Sequence, residues 1–214
     1  MRDDENVDGG FTGRPKVYIA GPMVFYPDAS QRFVEMKRIL RGCDLDGCAP
    51  LDNQLGLETT APGRALARAI YQADEDLMNK VDGAIFNLDP FRRGTEMDAG
   101  TAFEVGYCKA LGLPIVGWTI DARPYPMKVR DFMRDAYQLE LHETAPNASG
   151  ATSGVLRDAD GILVHSEGLY QNLMIEMAIE TAGGKVFASP NWKIACAAAG
   201  ECLANLMTAK STAR

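Results

Sequence analysis

The chain has 214 residues, with 22 Lys and Arg against 29 Asp and Glu, a formal net charge of −7 and a pI near 4.9. With 46% apolar and 24% charged residues it has the make-up of an ordinary soluble domain, and its acidity argues against a nucleic-acid partner, whose binding is driven by cationic neutralisation of phosphates. No apolar run approaches the roughly 18 residues that cross a bilayer, and the acidic, Gly-rich start is neither a signal nor a transit peptide, so no membrane partner and a cytoplasmic location are expected.

In chain order, residues 1–14 are expected to be a disordered tail, and 15–214 a single α/β domain. Lys16–Ala20 reads as a strand ending at Gly21-Pro22, and residues 29–41 carry Phe33, Met36 and Leu40 at helical spacing. Gly47–Leu51 is a second strand, residues 63–81 a long helix, and Gly83–Leu88 an apolar strand. A helix over 100–111 leads to a fourth strand, Pro114–Ile120. The stretch 121–168 is less regular, with an exposed loop expected at about 143–161. A helix near 172–182, a short run Lys185–Ser189 and an Ala-rich helix near 192–208 follow. Alternating strands and helices at this spacing predict a parallel sheet covered on both faces, because parallel neighbours need a crossover.

Such sheets bind ligands beyond the C-terminal ends of their strands. No GxGxxG follows the first strand and no GxxxxGK[ST] occurs, which argues against a dinucleotide or ATP cofactor. Five scattered cysteines without CxxC spacing and two isolated histidines, His142 and His165, give no metal site.

Two carboxylates stand out. On the helix at 63–81, Leu66, Ile70, Leu77 and Val81 share an arc of about 60°, and Asp74 lies at its edge. A carboxylate aimed inward must find a partner or take up a proton; the plainer alternative is a structural group bonding a backbone amide. The second lies in Asp98-Ala-Gly-Thr-Ala-Phe-Glu104-Val-Gly106. Here Thr101-x-x-Glu104 has the form of a capping box, and Phe103, Tyr107 and Leu111 form the expected inner face of the helix, with Glu104 at its border. A first-turn position would favour its ionised form. One carboxyl pushed up and one held down is the division of labour between acid and nucleophile, as in retaining glycoside chemistry. Phe25-Tyr26 offers a flat apolar face for a ring, or simple packing, and Gln54 can read an amide-like base edge, or be a surface residue.

Tyr18-Ile-Ala-Gly21-Pro22, Pro50-Leu-Asp-Asn-Gln54, Asp74, and Asp98-x-Gly-Thr-x-x-Glu104-x-Gly106 together resemble nucleoside 2-deoxyribosyltransferases, a likeness that continues to Asn172-Leu-Met174. The resemblance implies a five-stranded, doubly wound, flavodoxin-like sheet and an enzyme of nucleotide salvage that exchanges the base of a 2′-deoxyribonucleoside, with no cofactor and no metal. It makes Glu104 the nucleophile, Asp74 the group that protonates the leaving base, and Tyr18 the hydrogen-bond partner of the nucleophile. Gln54 and Asp98 match base- and sugar-contacting positions, with Phe25 and Gly21 in the adjoining substrate loop. Asn172 and Met174 match residues that complete a neighbouring subunit's site, which implies a homo-oligomer. A nucleoside 5′-monophosphate N-glycosidase on the same scaffold, for which Arg92 and Arg93 could hold phosphate, and a non-catalytic nucleotide sensor are the alternatives.

Overall fold

The computed structural model describes residues 13–52, 61–144, 155–165 and 167–212. The tail expected at 1–14 falls almost wholly outside the described residues, as do Gln54 and the Ser/Gly/Ala stretch at 145–154. Strands β1 (Lys16–Ala20), β2 (Asp46–Cys48), β3 (Gly83–Asn87), β4 (Ile115–Thr119) and β7 (Val186–Ala188) form one sheet in the order β2-β1-β3-β4-β7, every neighbouring pair parallel. This is the doubly wound sheet expected from the sequence. Helices α1 (Ala29–Arg41) and α6 (Trp192–Thr212) cover one face. On the other lie α2 (Arg64–Met78), α3 (Ala99–Ala110) and α5 (Leu173–Thr181).

The strand period of two assigns side chains to these layers. Val17 and Ile19 enter the α1/α6 layer with Phe33, Met36, Leu40, Trp118 and Leu203, whereas Tyr18 and Ala20 enter the α3/α5 layer with Phe86, Val105, Cys108 and Ile179. Tyr18 is thus a central-strand residue whose phenol reaches the layer that holds the acidic helices.

The sequence leaves residues 121–168 irregular, yet α4 (Tyr125–Tyr137) forms there, and β5 (His142–Thr144) pairs antiparallel with β6 (Val155–Arg157). The two ends of the expected loop therefore form a ribbon. Helix α4 escapes a periodicity search because its buried residues are Pro126 and Lys128, neither of which belongs to an apolar stripe.

The stripe on α2 is only half covered: within the helix Met78 alone is buried, and Tyr71 is exposed. On α3 the expected inner face is overturned. Thr101, Val105 and Cys108 are the buried residues, and Phe103 and Leu111 are exposed. The core accepts the smaller side chains because α3 lies close to β3, and the aromatic row turns outward to meet Tyr71 of α2, whose ring centroid is 6.0 Å from that of Phe103.

Close approach at the β4–β7 edge has a single-residue test. A Cβ on Gly184 would stand 1.9 Å from the Ile115 carbonyl oxygen, a backbone atom that cannot swing away. Gly184→Ala is expected to destabilise the fold by about 2–3 kcal/mol, read as a lowered urea midpoint; an unchanged midpoint would show that this edge is loosely held.

Candidate active site

The site is built where β1 meets α3. The Tyr18 hydroxyl donates a 2.6 Å hydrogen bond to Oε1 of Glu104. Tyr18 is wholly buried, and Glu104 is half-buried. Their separation in sequence is 86 residues, so the bond exists only once the sheet and its crossover helix have assembled. Asp74 on α2 is half-buried and close enough for its charge to act on both Tyr18 and Glu104. The structure therefore brings together the three residues singled out for catalysis.

The electrostatics of Glu104 differ from the sequence expectation. Asp98, not Thr101, caps α3: its Oδ2 accepts from the Thr101 backbone N–H at 2.9 Å and from the Thr101 hydroxyl at 3.2 Å. Counted from that cap, Glu104 lies in the second turn, beyond the free N–H groups that would have favoured its anion. Burial dominates instead and pushes its pKa up to about 8; the Tyr18 hydrogen bond pulls it down, and the charges of Asp74 and Asp98 push it up. The Tyr18 phenol is itself driven far above its ordinary range, by burial first and by the Glu104 charge second. It stays a donor at any physiological pH. One turn along α3, burial raises the Cys108 thiol to about 12, helped by Glu104, so this thiol is no nucleophile.

The loop after β1 is shaped by Gly21. Its φ of +145° is a conformation few L-residues adopt, and a Cβ there would stand 2.6 Å from Cβ of Asn87. The chain then turns through a short 3₁₀ segment, Pro22–Phe25, which leaves Phe25 exposed with its ring centroid 5.1 Å from that of Phe91. The Arg92 guanidinium lies 4.8 Å from the Phe91 centroid and 5.7 Å from that of Phe25. Phe25 thus belongs to an aromatic–cation cluster at the C-terminal ends of β1 and β3. Phe91 does not stand out in the sequence, and Arg92 does so only as a phosphate ligand; the run Phe91-Arg-Arg after a β-strand is the signal that marks them.

Asn172 caps α5, its Oδ1 accepting from the Met174 N–H at 2.9 Å. Both residues are exposed, Met174 at 71%, and neither is joined to Tyr18, Asp74 or Glu104 by a hydrogen bond among the described residues. A cavity of about 500 Å³ opens beyond β3 and β4, with Arg93, Asp121, Arg123 and Lys128 in its walls. Arg93, named from the sequence as a phosphate ligand in the alternative reading, lies in its wall, whereas Tyr18, Asp74, Asp98, Glu104, Asn172 and Met174 do not line it. Among the described residues no cluster of His, Cys, Asp or Glu is placed to hold a metal ion.

The family model for nucleoside 2-deoxyribosyltransferase matches residues 17–174, which include Tyr18, Asp74, Asp98, Glu104 and Asn172. The chain belongs to this family. An uncharacterized protein of Schizosaccharomyces pombe is 46% identical over 172 residues, 80% of each chain. A solved 2-desoxiribosyltransferase from Leishmania mexicana shares 30% identity with a TM-score of 0.57, covering 87% of this chain and 97% of its own. A conserved protein from Enterococcus faecalis V583, 18% identical with a TM-score of 0.52 over 92% of this chain and 99% of its own, shares the fold. In this deoxyribosyltransferase-family chain the tyrosine–glutamate bond lies at the junction of sheet and helix.

A carboxyl group whose folded pKa lies near 8 binds a proton in the folded state that the unfolded chain has already released. Stability is therefore lost as pH rises from about 4.5 to about 8. Glu104→Gln keeps an acceptor for Tyr18 and removes that loss. Its Tm is expected to exceed wild type above pH 8, with the gain shrinking steadily towards pH 4.5. A Tm difference that does not vary with pH in scanning calorimetry would refute the burial of an ionisable group at this position.

Proposed function

We propose that this protein transfers the 2-deoxyribosyl group between nucleobases through a covalent glycosyl–Glu104 intermediate. The Glu104 carboxylate attacks the anomeric carbon of a 2′-deoxyribonucleoside, and the glycosidic C–N bond breaks with its electron pair going to the base. Asp74 delivers a proton to the departing base. In the second half the incoming base gives a proton to Asp74, its nitrogen attacks the anomeric carbon, and Glu104 leaves. Sugar, proton and electron pairs balance over the cycle, and water enters only as a competitor.

The observation that carries this proposal is the Tyr18–Glu104 hydrogen bond with the Asp74 charge acting on both partners. Mutual repulsion of two carboxylates in a half-buried site favours a single proton on the pair. Burial keeps the proton on Glu104 in the resting protein, and the Tyr18 donor favours the anion that forms when that proton passes to Asp74. That is the state the chemistry needs, one acid and one nucleophile. Without an electron-withdrawing 2′-hydroxyl the oxocarbenium-like transition state forms more easily, so carboxylates alone suffice.

We place Asn172 and Met174 in the site of a second copy of the chain. Support comes from an apolar face left uncovered in one copy. Phe103, Gly106, Tyr107 and Ala110 share one side of α3 at helical spacing, with Tyr71 beside them. Gly106 is exposed, and among the described residues nothing stands within 4 Å of where its Cβ would be, so their packing gives no reason for glycine there. A small residue flanked by aromatic rings suits close approach of another helix. A cytoplasmic role in nucleoside salvage completes the proposal.

Incubation with deoxyinosine and adenine is expected to yield deoxyadenosine by chromatography. Free hypoxanthine and deoxyribose without a new nucleoside, or a requirement for a 5′-phosphate, would overturn the transferase assignment. Glu104→Ala is expected to reduce exchange to background while the circular dichroism spectrum stays native. Asp74→Asn should slow transfer about 10²-fold or more with poor leaving bases and less with good ones; equal slowing across bases would remove Asp74 from the acid role.

For the assembly, Gly106→Arg improves helix propensity yet should sediment as a folded monomer. Asn172→Ala mixed with Glu104→Ala should recover part of the activity in mixed oligomers, and no recovery in verified mixtures would count against shared sites.

A further inference from the structure

Outside the carboxylate site, the buried polar groups converge on the segment that runs from Leu169 to Asn172. Gln171 is wholly buried. Its Nε2 donates to the Leu88 carbonyl at 2.9 Å and to the Thr95 carbonyl at 3.5 Å, and its backbone N–H donates to Oε1 of Glu176 at 2.6 Å. One residue earlier, the Tyr170 carbonyl accepts from Nζ of the buried Lys128 at 2.8 Å. Two residues earlier, the Leu169 carbonyl accepts from the Tyr125 N–H at 2.8 Å, and the Tyr125 hydroxyl donates to Glu96. The segment is thus pinned between α4 and the loop that joins β3 to α3.

We propose that Gln171 is a positioning residue for the base side of the site. Its single amide grips carbonyls near both ends of the loop, Leu88 where it leaves β3 and Thr95 three residues before Asp98. Between these two anchors lie Phe91 and Arg92, held beside Phe25, and beyond them lies the Asp98 cap of the Glu104 helix. The next residue is Asn172, the cap of α5. A primary amide is the side chain that fits, because it presents two N–H groups in a fixed plane, and no cation has to be desolvated among carbonyl dipoles. Arg92 and Arg93 both hold left-handed backbone, φ +52° and +62°, a conformation costly for such residues that persists only where the surroundings over-determine it. The Gln171 grip supplies that constraint. Tyr18 and Glu104 are set separately by β1 and α3, so loss of the grip should loosen substrate binding more than it disturbs the carboxylates.

Gln171→Met keeps length and volume and deletes both donors. Hydrogen exchange of the 89–97 backbone is expected to quicken about tenfold in this variant, with peptides from β1 and α6 unchanged. In the base-exchange assay, KM for the deoxyribonucleoside should rise about tenfold and kcat fall less than threefold. Only this kinetic arm rests on the transferase assignment. Should wild type show no exchange of bases, that assignment fails and hydrogen exchange alone decides the role of Gln171. A folded variant with unchanged exchange at 89–97, or one whose whole chain loosens equally while KM stays constant, would overturn the proposal. Gln171→Glu, which puts an oxygen in place of Nε2 against both carbonyls, should show the same loosening in a side chain of native shape. Wild type offers a check that needs no variant: the Gln171 side-chain amide protons should exchange slowly in ¹⁵N NMR, and fast exchange would refute the grip.

Discussion

A phenol donating to a carboxylate in the interior of the α3/α5 layer is the constraint on which the candidate site depends. Tyr18 sits on the middle strands of a parallel sheet, with β2 on one side and β3 on the other. Its hydroxyl cannot reach solvent, so it must find an acceptor within the protein. Glu104 is that acceptor. The bond satisfies the phenol, fixes the rotamer of the carboxyl and offsets part of its desolvation. Burial still prevails, which is why Glu104 is raised even with a donor at 2.6 Å. A carboxyl held in this way is expensive to ionise and correspondingly basic.

The rest of the architecture places charge around that pair in a graded way. Asp74 and Asp98 both act on Glu104 through their charge, Asp74 more strongly. Asp98 also caps the helix, so its carboxylate is committed by hydrogen bonds to Thr101. Asp74 stands on α2, a helix that the rest of the chain covers only partly. Of these two carboxylates, the one with more influence on Glu104 is therefore carried by a partly exposed helix. Covering the exposed aromatic side of α2 and α3 would tie the position of Asp74 to whatever packs there, a direct physical route from assembly to the protonation of the site.

Much of this was legible in the sequence, and the failures have identifiable causes. The bounds of β1 and α1 follow from an apolar run ended by Gly-Pro and from the spacing of Phe33, Met36 and Leu40, all local signals. Asp74 and Glu104 stand out because carboxylates beside apolar stripes need a reason. Helix α4 is missed because a buried Lys128 occupies a core position, and a lysine there is paired by tertiary contacts that no local pattern reveals. The inner face of α3 is misjudged because size, not hydrophobicity, decided which side meets the sheet: Thr101, Val105 and Cys108 fit where Phe103 and Leu111 do not. The sign of the Glu104 shift is misjudged for a smaller cause. Moving the cap from Thr101 to Asp98 shifts the helix start by three residues and takes Glu104 away from the dipole.

Gln171 shows the limit of such inference most plainly. Within its own segment it is a polar residue before a helix, with nothing to separate it from a solvent-facing neighbour of Asn172. Its partners, Leu88 and Thr95, lie 83 and 76 residues away and offer backbone carbonyls, which any residue at those positions would have supplied. Sequence patterns register what a residue type prefers, and backbone acceptors carry no residue type. A buried amide that binds main chain is therefore invisible until the fold is known, whereas Tyr18 and Glu104, each needing a particular chemical partner, announce themselves. The same asymmetry predicts where substitutions will surprise: at positions such as 171, a change that looks permissible by composition removes a contact that only three-dimensional closure created.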